Sequence, residues 1–230
     1  MKNLHFIQII SVVCLFLLTI TKATALPAGY IIPKETLSPN HRYAFMVPVF
    51  DSTVTDSSQF QNALIDAKTD QIITKVDAPA GFDRPLNYVS VEQPLWSKDE
   101  SLVLWKVNDK WCPTALVLIK LKNNKQLWQL NLLTVFQEKI LSYTKKAVPK
   151  KYEVAKKANI GNGSSYPEGF TVDVEPVENG KNGLLELPIK IHITLSSNPK
   201  LIEDKPNLNS EMDAIVKNDG TIEVKKFKIL

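Results

Sequence analysis

Residues 42–50 set the pattern for the first half of the chain. Tyr43, Phe45, Val47 and Val49 fall on one side of an extended backbone, and Ala44, Met46, Pro48 and Phe50 on the other. Both sides are apolar, which predicts a strand covered on both faces, with Pro48 marking an edge or a bulge. Residues 62–67 and 71–76 flank Lys68-Thr69-Asp70, a hairpin signature. Further strands are predicted at 102–107, 115–121 and 126–132, the last two joined by the polar turn Lys122-Asn123-Asn124-Lys125. Trp128, Leu130 and Leu132 alternate with Gln129 and Asn131, as a half-buried strand requires.

The period changes at residue 134. Leu133, Phe136, Ile140, Thr144 and Ala147 recur at three- and four-residue steps, the stripe of an amphipathic helix. Thr134-Val135-Phe136-Gln137 reads as its capping box. Pro149 ends or kinks this helix, and residues 150–157 continue as a second short one. After a Gly/Asn/Ser/Pro loop at 159–169 the period of two returns. Strands are predicted at 170–174, 187–195, 212–216 and 221–229, the last pair joined by Asn218-Asp219-Gly220. The apolar phase flips between Val224 and Phe227, which predicts a bulge at Lys225-Lys226. Residues 197–210 carry Pro199 and Pro206 and read as loop.

Part of this β pattern is repeated. The segment Leu37-Ser38-Pro39-Asn40-His41-Arg42-Tyr43-Ala44-Phe45 aligns with Trp96-Ser97-Lys98-Asp99-Glu100-Ser101-Leu102-Val103-Leu104. In each, a serine starts a polar turn that leads into an apolar strand. The hairpin Leu64-Ile65-Asp66-Ala67-Lys68-Thr69-Asp70-Gln71-Ile72 aligns with residues 118–127. These turns resemble blade repeats of bacterial β-propellers of the Tol and WD types, over residues 36–132. Asn40-His41 stands where the blade turn has Asp-Gly, and Asp70 where the hairpin has Gly. The resemblance implies blade-like meanders and a partner-binding surface, and no chemistry. Two units do not close a propeller, which takes ~4–8 blades.

The N-terminus adds an address. Lys2 precedes an apolar run from Phe6 to Ile20, and Ala23-Thr24-Ala25 follows in the small-residue arrangement that a signal peptidase accepts. A cleaved secretory leader ending at Ala25 is expected, and hence a secreted or periplasmic protein. The run is shorter than the ~20 apolar residues of a spanning helix. No transmembrane segment is expected in the mature chain. Its loss would remove Cys14 and leave Cys112 as the single cysteine, so no internal disulfide is expected.

Composition narrows the function classes. Of 230 residues, 44% are hydrophobic and 23% charged, which excludes disordered and low-complexity classes. Net charge is +4, too mild for a nucleic-acid binder. Two cysteines exclude Cys-rich zinc and iron–sulfur sites. No cofactor motif is present, and no cofactor or metal is expected.

Each candidate residue has a structural reading beside the functional one. His41 lies in a turn and His192 on the polar side of a strand, with no Gly-x-Ser-x-Gly to complete a triad. Cys112 in Trp111-Cys112-Pro113 reads as a buried thiol rather than a nucleophile. Asp51 and Asp56 bracket a hydroxyl-rich loop whose oxygens suit a ligand, although it lacks the glycine and glutamate of a calcium loop. Asp173, Glu175 and Glu178 form a second acidic stretch. Trp105 and Trp128 alternate with apolar neighbours and read as core, whereas Trp96 and Trp111 sit beside turns and are the ligand-facing candidates. Between residues 134 and 159 seven lysines stand against two glutamates. Lys145, Lys146, Lys150 and Lys151 either form a solvated face or make weak contact with an anionic surface.

The expected fold is mainly β: two blade-like antiparallel β-meanders, a basic amphipathic helix, and a smaller C-terminal antiparallel β segment. The expected division is a leader at 1–25, a blade-like region at 26–133, a helical connector at 134–160 and a β region at 161–230, the last either separate from the blade-like region or one continuous domain with it. The leading function is a non-catalytic exported protein that binds a partner or envelope ligand through Trp96, Trp111, Asp51 and Asp56. The alternative is a secreted hydrolase acting on envelope or environmental polymers.

Overall fold

The computed structural model describes residues 26–49, 60–78, 93–108, 113–159, 166–177, 185–197 and 207–230. Residues 1–25, on which the expectation of a leader rests, and Asp51, Asp56, Trp111 and Cys112 lie outside the described residues. The chain is mainly β, with three four-stranded antiparallel sheets and two α-helices among the described residues. Sheet one runs β1 (Tyr30–Ile31), β2 (Tyr43–Pro48), β3 (Ala63–Asp66), β4 (Gln71–Lys75). Sheet two runs β5 (Leu95–Trp96), β6 (Leu102–Asn108), β7 (Pro113–Lys122), β8 (Lys125–Asn131). The helices α1 (Leu132–Ala147) and α2 (Pro149–Ala158) follow. Sheet three runs β9 (Phe170–Val177), β10 (Ile189–Ser197), β11 (Asn209–Val216), β12 (Ile222–Ile229). In each sheet consecutive strands are neighbours, so all three are meanders.

The repeated serine turn is the same structure twice. Ser38 N–H donates to the Tyr43 carbonyl at 2.8 Å, and its Oγ accepts from the N–H groups of Arg42 and Tyr43 at 3.1 and 3.0 Å. Ser97 N–H donates to the Leu102 carbonyl at 2.9 Å, and its Oγ accepts from Leu102 N–H at 2.9 Å. His41 (φ 55°) and Glu100 (φ 56°) occupy the equivalent left-handed position. The turns also touch: buried Glu100 accepts from Asn40 N–H at 2.6 Å through Oε1. The β7–β8 turn has positive φ at both Asn123 and Asn124, the two-residue hairpin form that asparagine tolerates.

Sheets one and two pack face to face. Phe45 stacks on Trp105 with centroids 4.2 Å apart, and Val47 and Leu64 meet Val103, Val117 and Ile119. The opposite face of sheet two presents Leu104, Leu116 and Leu118 to a second core shared with α1, α2 and sheet three. Sheet two is therefore the middle layer, which explains why β6 and β7 read as near-continuous apolar runs. Sheet three covers one face only, with Ile189, Ile191, Ile193 and Leu195 inward and Lys190, His192 and Thr194 outward.

The helix stripe docks as its spacing predicts through Leu133, Phe136, Ile140 and Thr144, whereas Ala147 is exposed. The start differs from the capping-box expectation. Helix α1 begins at Leu132, and Asn131 is the cap, its side chain accepting from Thr134 N–H at 3.5 Å. An earlier start buries Leu132 completely and places an asparagine, a strong N-cap residue, at the junction. Val148 breaks the helix, and Pro149 takes the first position of α2, where its missing N–H costs nothing. The bulge in β12 falls at Lys225, since Asp213 pairs with Lys226 and Ala214 with Val224. β11 begins at Asn209, inside the stretch read as loop, and β9 extends past the expected end to Val177.

A cleft along the edge of β9

β9 lies at one edge of sheet three and, among the described residues, pairs only with β10. The hydrogen-bond phase of the sheet fixes which of its backbone groups are spent. Ser197 N–H donates to the Leu208 carbonyl at 2.9 Å, so the Ser197 backbone faces β11. In an antiparallel ladder alternate residues face alternate neighbours. Ser196, Thr194, His192 and Lys190 therefore turn their backbone groups to β9, where they meet Thr171, Asp173, Glu175 and Val177. Val172 and Val174 project N–H and C=O away from the sheet. Pro176 projects only a carbonyl, which is the position that a proline in a strand can occupy.

A cavity of about 450 Å³ follows this edge. Six consecutive residues of β9, Thr171 to Pro176, line it, as happens when a strand is met edge-on rather than by one face. Its depth is apolar, with Leu116 of β7, Leu133 of α1 and Val172, which is 6% exposed. Its mouth carries the exposed carboxylates of Asp173 and Glu175, and the lining also includes Tyr166 and one cation, Lys106. Val177, just past the mouth, is 46% exposed.

Asp173 and Glu175, read in sequence as an acidic stretch, are thus brought to one cleft. They are successive outward residues of a single strand, so their Cα atoms are ~6.6–6.8 Å apart by strand geometry and their side chains leave the same face of the strand side by side. Carboxylates of a glycosidase flank the scissile bond from opposite sides. Two groups that project in parallel from one strand do not.

The other candidates are placed elsewhere. Trp96 is 5% exposed, stacked on Tyr43 at 5.9 Å and tilted on Phe45 at 6.2 Å, within the core between sheets one and two. Trp105 is core as expected. Trp128 packs over Gly220 and donates from Nε1 to the Asn218 carbonyl at 3.3 Å. His192 projects from the outer face of sheet three and shares a 2.8 Å hydrogen bond with Asp213 through Nδ1. Lys145, Lys146, Lys150 and Lys151 are all exposed, and Lys145 pairs with Glu153 at 3.2 Å.

A second, more open cavity of about 570 Å³ lies beside the Ser97 turn. Lys120 Nζ donates to Ser101 Oγ at 2.8 Å, and that hydroxyl donates to Asp99 at 2.8 Å. Ser97 also donates to Asp99 at 2.7 Å. These hydrogen bonds, that from Ser97 foremost, hold the Asp99 carboxyl down to about 2. The one base that the Ser101 hydroxyl meets here is the Asp99 carboxylate, which at a pKa of about 2 is too weak to activate it as a nucleophile. The serine stabilises the turn.

Among the described residues no three His, Cys, Asp or Glu side chains come together as a metal site, and no helix is long and apolar enough to cross a membrane. No family model, no curated protein and no solved structure matches this chain. Sequence reasoning missed the β9 edge because strand pairing is non-local. The available signal is Pro176, two residues past the expected strand end at 174, which marks the free side of β9.

Proposed function

We propose that the chain is an exported, non-catalytic protein that holds a partner in the cleft along β9. The cleft carries this reading: an apolar depth of about 450 Å³ with a polar mouth and an unpaired strand edge is the form of a recognition site. The leader-like residues 1–25 support export, and the repeat's resemblance to propeller blades supports a binding role. The side-by-side arrangement of Asp173 and Glu175 favours binding over the hydrolase alternative.

The test is cross-linked capture from the envelope and medium fractions by the secreted chain. Its intact mass should correspond to a start at Leu26. One captured partner should be lost when Asp173 and Glu175 are both changed to Arg, exposed positions whose replacement leaves the circular dichroism spectrum unchanged. Capture that is indifferent to the double change, or a mature protein that retains residues 1–25, refutes the proposal.

A further inference from the structure

The outer face of sheet three contains a template for what would occupy the cleft. Two cross-strand rows run over it. In one, Asp173 faces Thr194, Thr194 faces Glu211, and Glu211 faces Lys228. In the other, Glu175 faces His192, His192 faces Asp213, and Asp213 faces Lys226. In register, lysines two residues apart on β12 stand opposite the acidic residues of β11, without closing to ion pairs, and the intervening Phe227 turns inward to the core; the Asp213 carboxylate itself bonds to His192. Directly opposed charges of opposite sign are a standard source of strand-pair stability. The acidic residues of β9 have β10 on one side, where Thr194 and His192 face them, and among the described residues no strand on the other; the one cation in the cleft's lining, Lys106, is a single charge against the two carboxylates.

From the free edge, the cleft and this charge pattern we infer that the cleft, on the reading above, binds an extended peptide segment by strand addition to β9. The segment carries a basic residue at every second position and apolar residues between them. Its backbone hydrogen-bonds to the N–H and C=O of Val174 and the C=O of Pro176, and at the deep end to Val172. Its apolar side chains enter the depth beside Leu116 and Leu133, and its basic ones stand beside Asp173 and Glu175. Register is set because a slip of one residue would exchange the two faces and put the charges inside. Main-chain bonds supply the attraction and the alternate side chains the choice of segment.

The probe is a labelled hexapeptide of alternating Lys and Val, blocked at both ends and titrated with the purified protein by fluorescence anisotropy. It binds, and a Glu-Val peptide binds at least about tenfold more weakly, the scale expected of one or two opposed charge pairs. N-methylation of every second amide has two frames. One frame removes the donors that face β9 and abolishes binding; the other leaves it intact. The D173K/E175K protein prefers the Glu-Val peptide. Equal binding of the two peptides, equal effects of the two methylation frames, or no binding of the Lys-Val peptide overturns the inference. Concentration-dependent self-association that the peptide competes away replaces the foreign segment with β12 of a second copy, and also overturns it. If the peptide result fails while partner capture still depends on Asp173 and Glu175, strand addition is wrong and the cleft reading stands. If capture fails too, both fall.

Discussion

Replacing Phe136 with Ala tests whether α1 is a structural element or a surface device. The side chain is fully buried, between the Leu104–Leu116–Leu118 face of sheet two and the inward face of sheet three. Truncating such a phenylalanine removes its transfer free energy and leaves a cavity, together about 3–5 kcal/mol. That is a large share of the ~5–15 kcal/mol available to a typical domain. With a urea slope of ~2 kcal/mol/M the midpoint should fall by about 1.5–2.5 M, followed by far-UV circular dichroism and tryptophan fluorescence. Phe136→Leu, which keeps more of the volume, should lose less and preserves a measurable transition if the alanine variant does not fold. The control is the simultaneous change of Lys145, Lys146, Lys150 and Lys151 to Gln. Only Lys145 has described partners, Glu153 at 3.2 Å and the Tyr152 ring at 5.7 Å, and the Glu153 pair is about half exposed. Such contacts contribute ~1 kcal/mol or less, so the midpoint should move little. A Phe136→Ala midpoint within ~0.5 M of the parent, or a larger loss from the lysine change than from Phe136→Ala, refutes the placement of α1 in the core.

Three further outcomes follow from particular contacts. Thr144 and Ser210 are both fully buried and share a 2.7 Å hydrogen bond between α1 and β11; Thr144→Val should cost about 1–3 kcal/mol by leaving the Ser210 hydroxyl unpaired, and adding Ser210→Ala should recover part of it in the same urea assay. Asp99 has a folded-state pKa depressed from 3.8 to about 2, so its contribution is present above 3.8 and is lost as pH falls toward 2; acid titration of stability should be shallower across that window in Asp99→Asn, and an unchanged profile counts against the serine hydrogen bonds. Gly220 has φ +83° and a Cβ there would lie 3.0 Å from Trp128 Cδ2; Gly220→Ala should cost about 1 kcal/mol or more in thermal unfolding and shift tryptophan emission, because the backbone is strained and the indole must move.

What the sequence disclosed was local. The Ser38 and Ser97 turns are built from residues within five positions of each serine, so their repetition is visible in the linear order and returns as matching hydrogen bonds. The bulge at Lys225 is visible because one extra residue flips the phase of every later side chain. The helix stripe is visible because its period differs from that of its surroundings. What stayed hidden depends on partners distant in the chain. β1 and β5 have two residues each, too few to show a period, and exist only because β2 and β6 pair with them. The start of α1 was displaced because Leu132 and Leu133 continue the apolar run of β8 without a change of residue type. Trp96 stands beside a turn in sequence, yet the packing of two sheets puts Tyr43 and Phe45 over it.

An unpaired strand edge invites association, and native sheets blunt their edges in recognisable ways. This chain uses several of them. β1 and β5 are two residues long. The edges of β4 and β8 are tied to each other by side chains: Thr74 donates to Gln126, Gln129 Nε2 to the Lys75 carbonyl at 3.2 Å, and Asn131 Nδ2 to the Asp77 carbonyl at 3.1 Å. β12 carries a bulge and three exposed lysines, Lys225, Lys226 and Lys228, which repel a second such strand. β9 has eight residues, no bulge in its pairing with β10 and no lysine, and its edge, unpaired among the described residues, opens into a cleft with an apolar depth. Its defences are selective: Pro176 withholds one donor, and Asp173 and Glu175 repel acidic strands while attracting basic ones. An edge merely left unprotected would accept any strand. On the proposed reading, one walled by Leu116 and Leu133 and bearing two carboxylates would discriminate by charge and by register, and that is why β9 rather than β12 is the edge proposed for a partner.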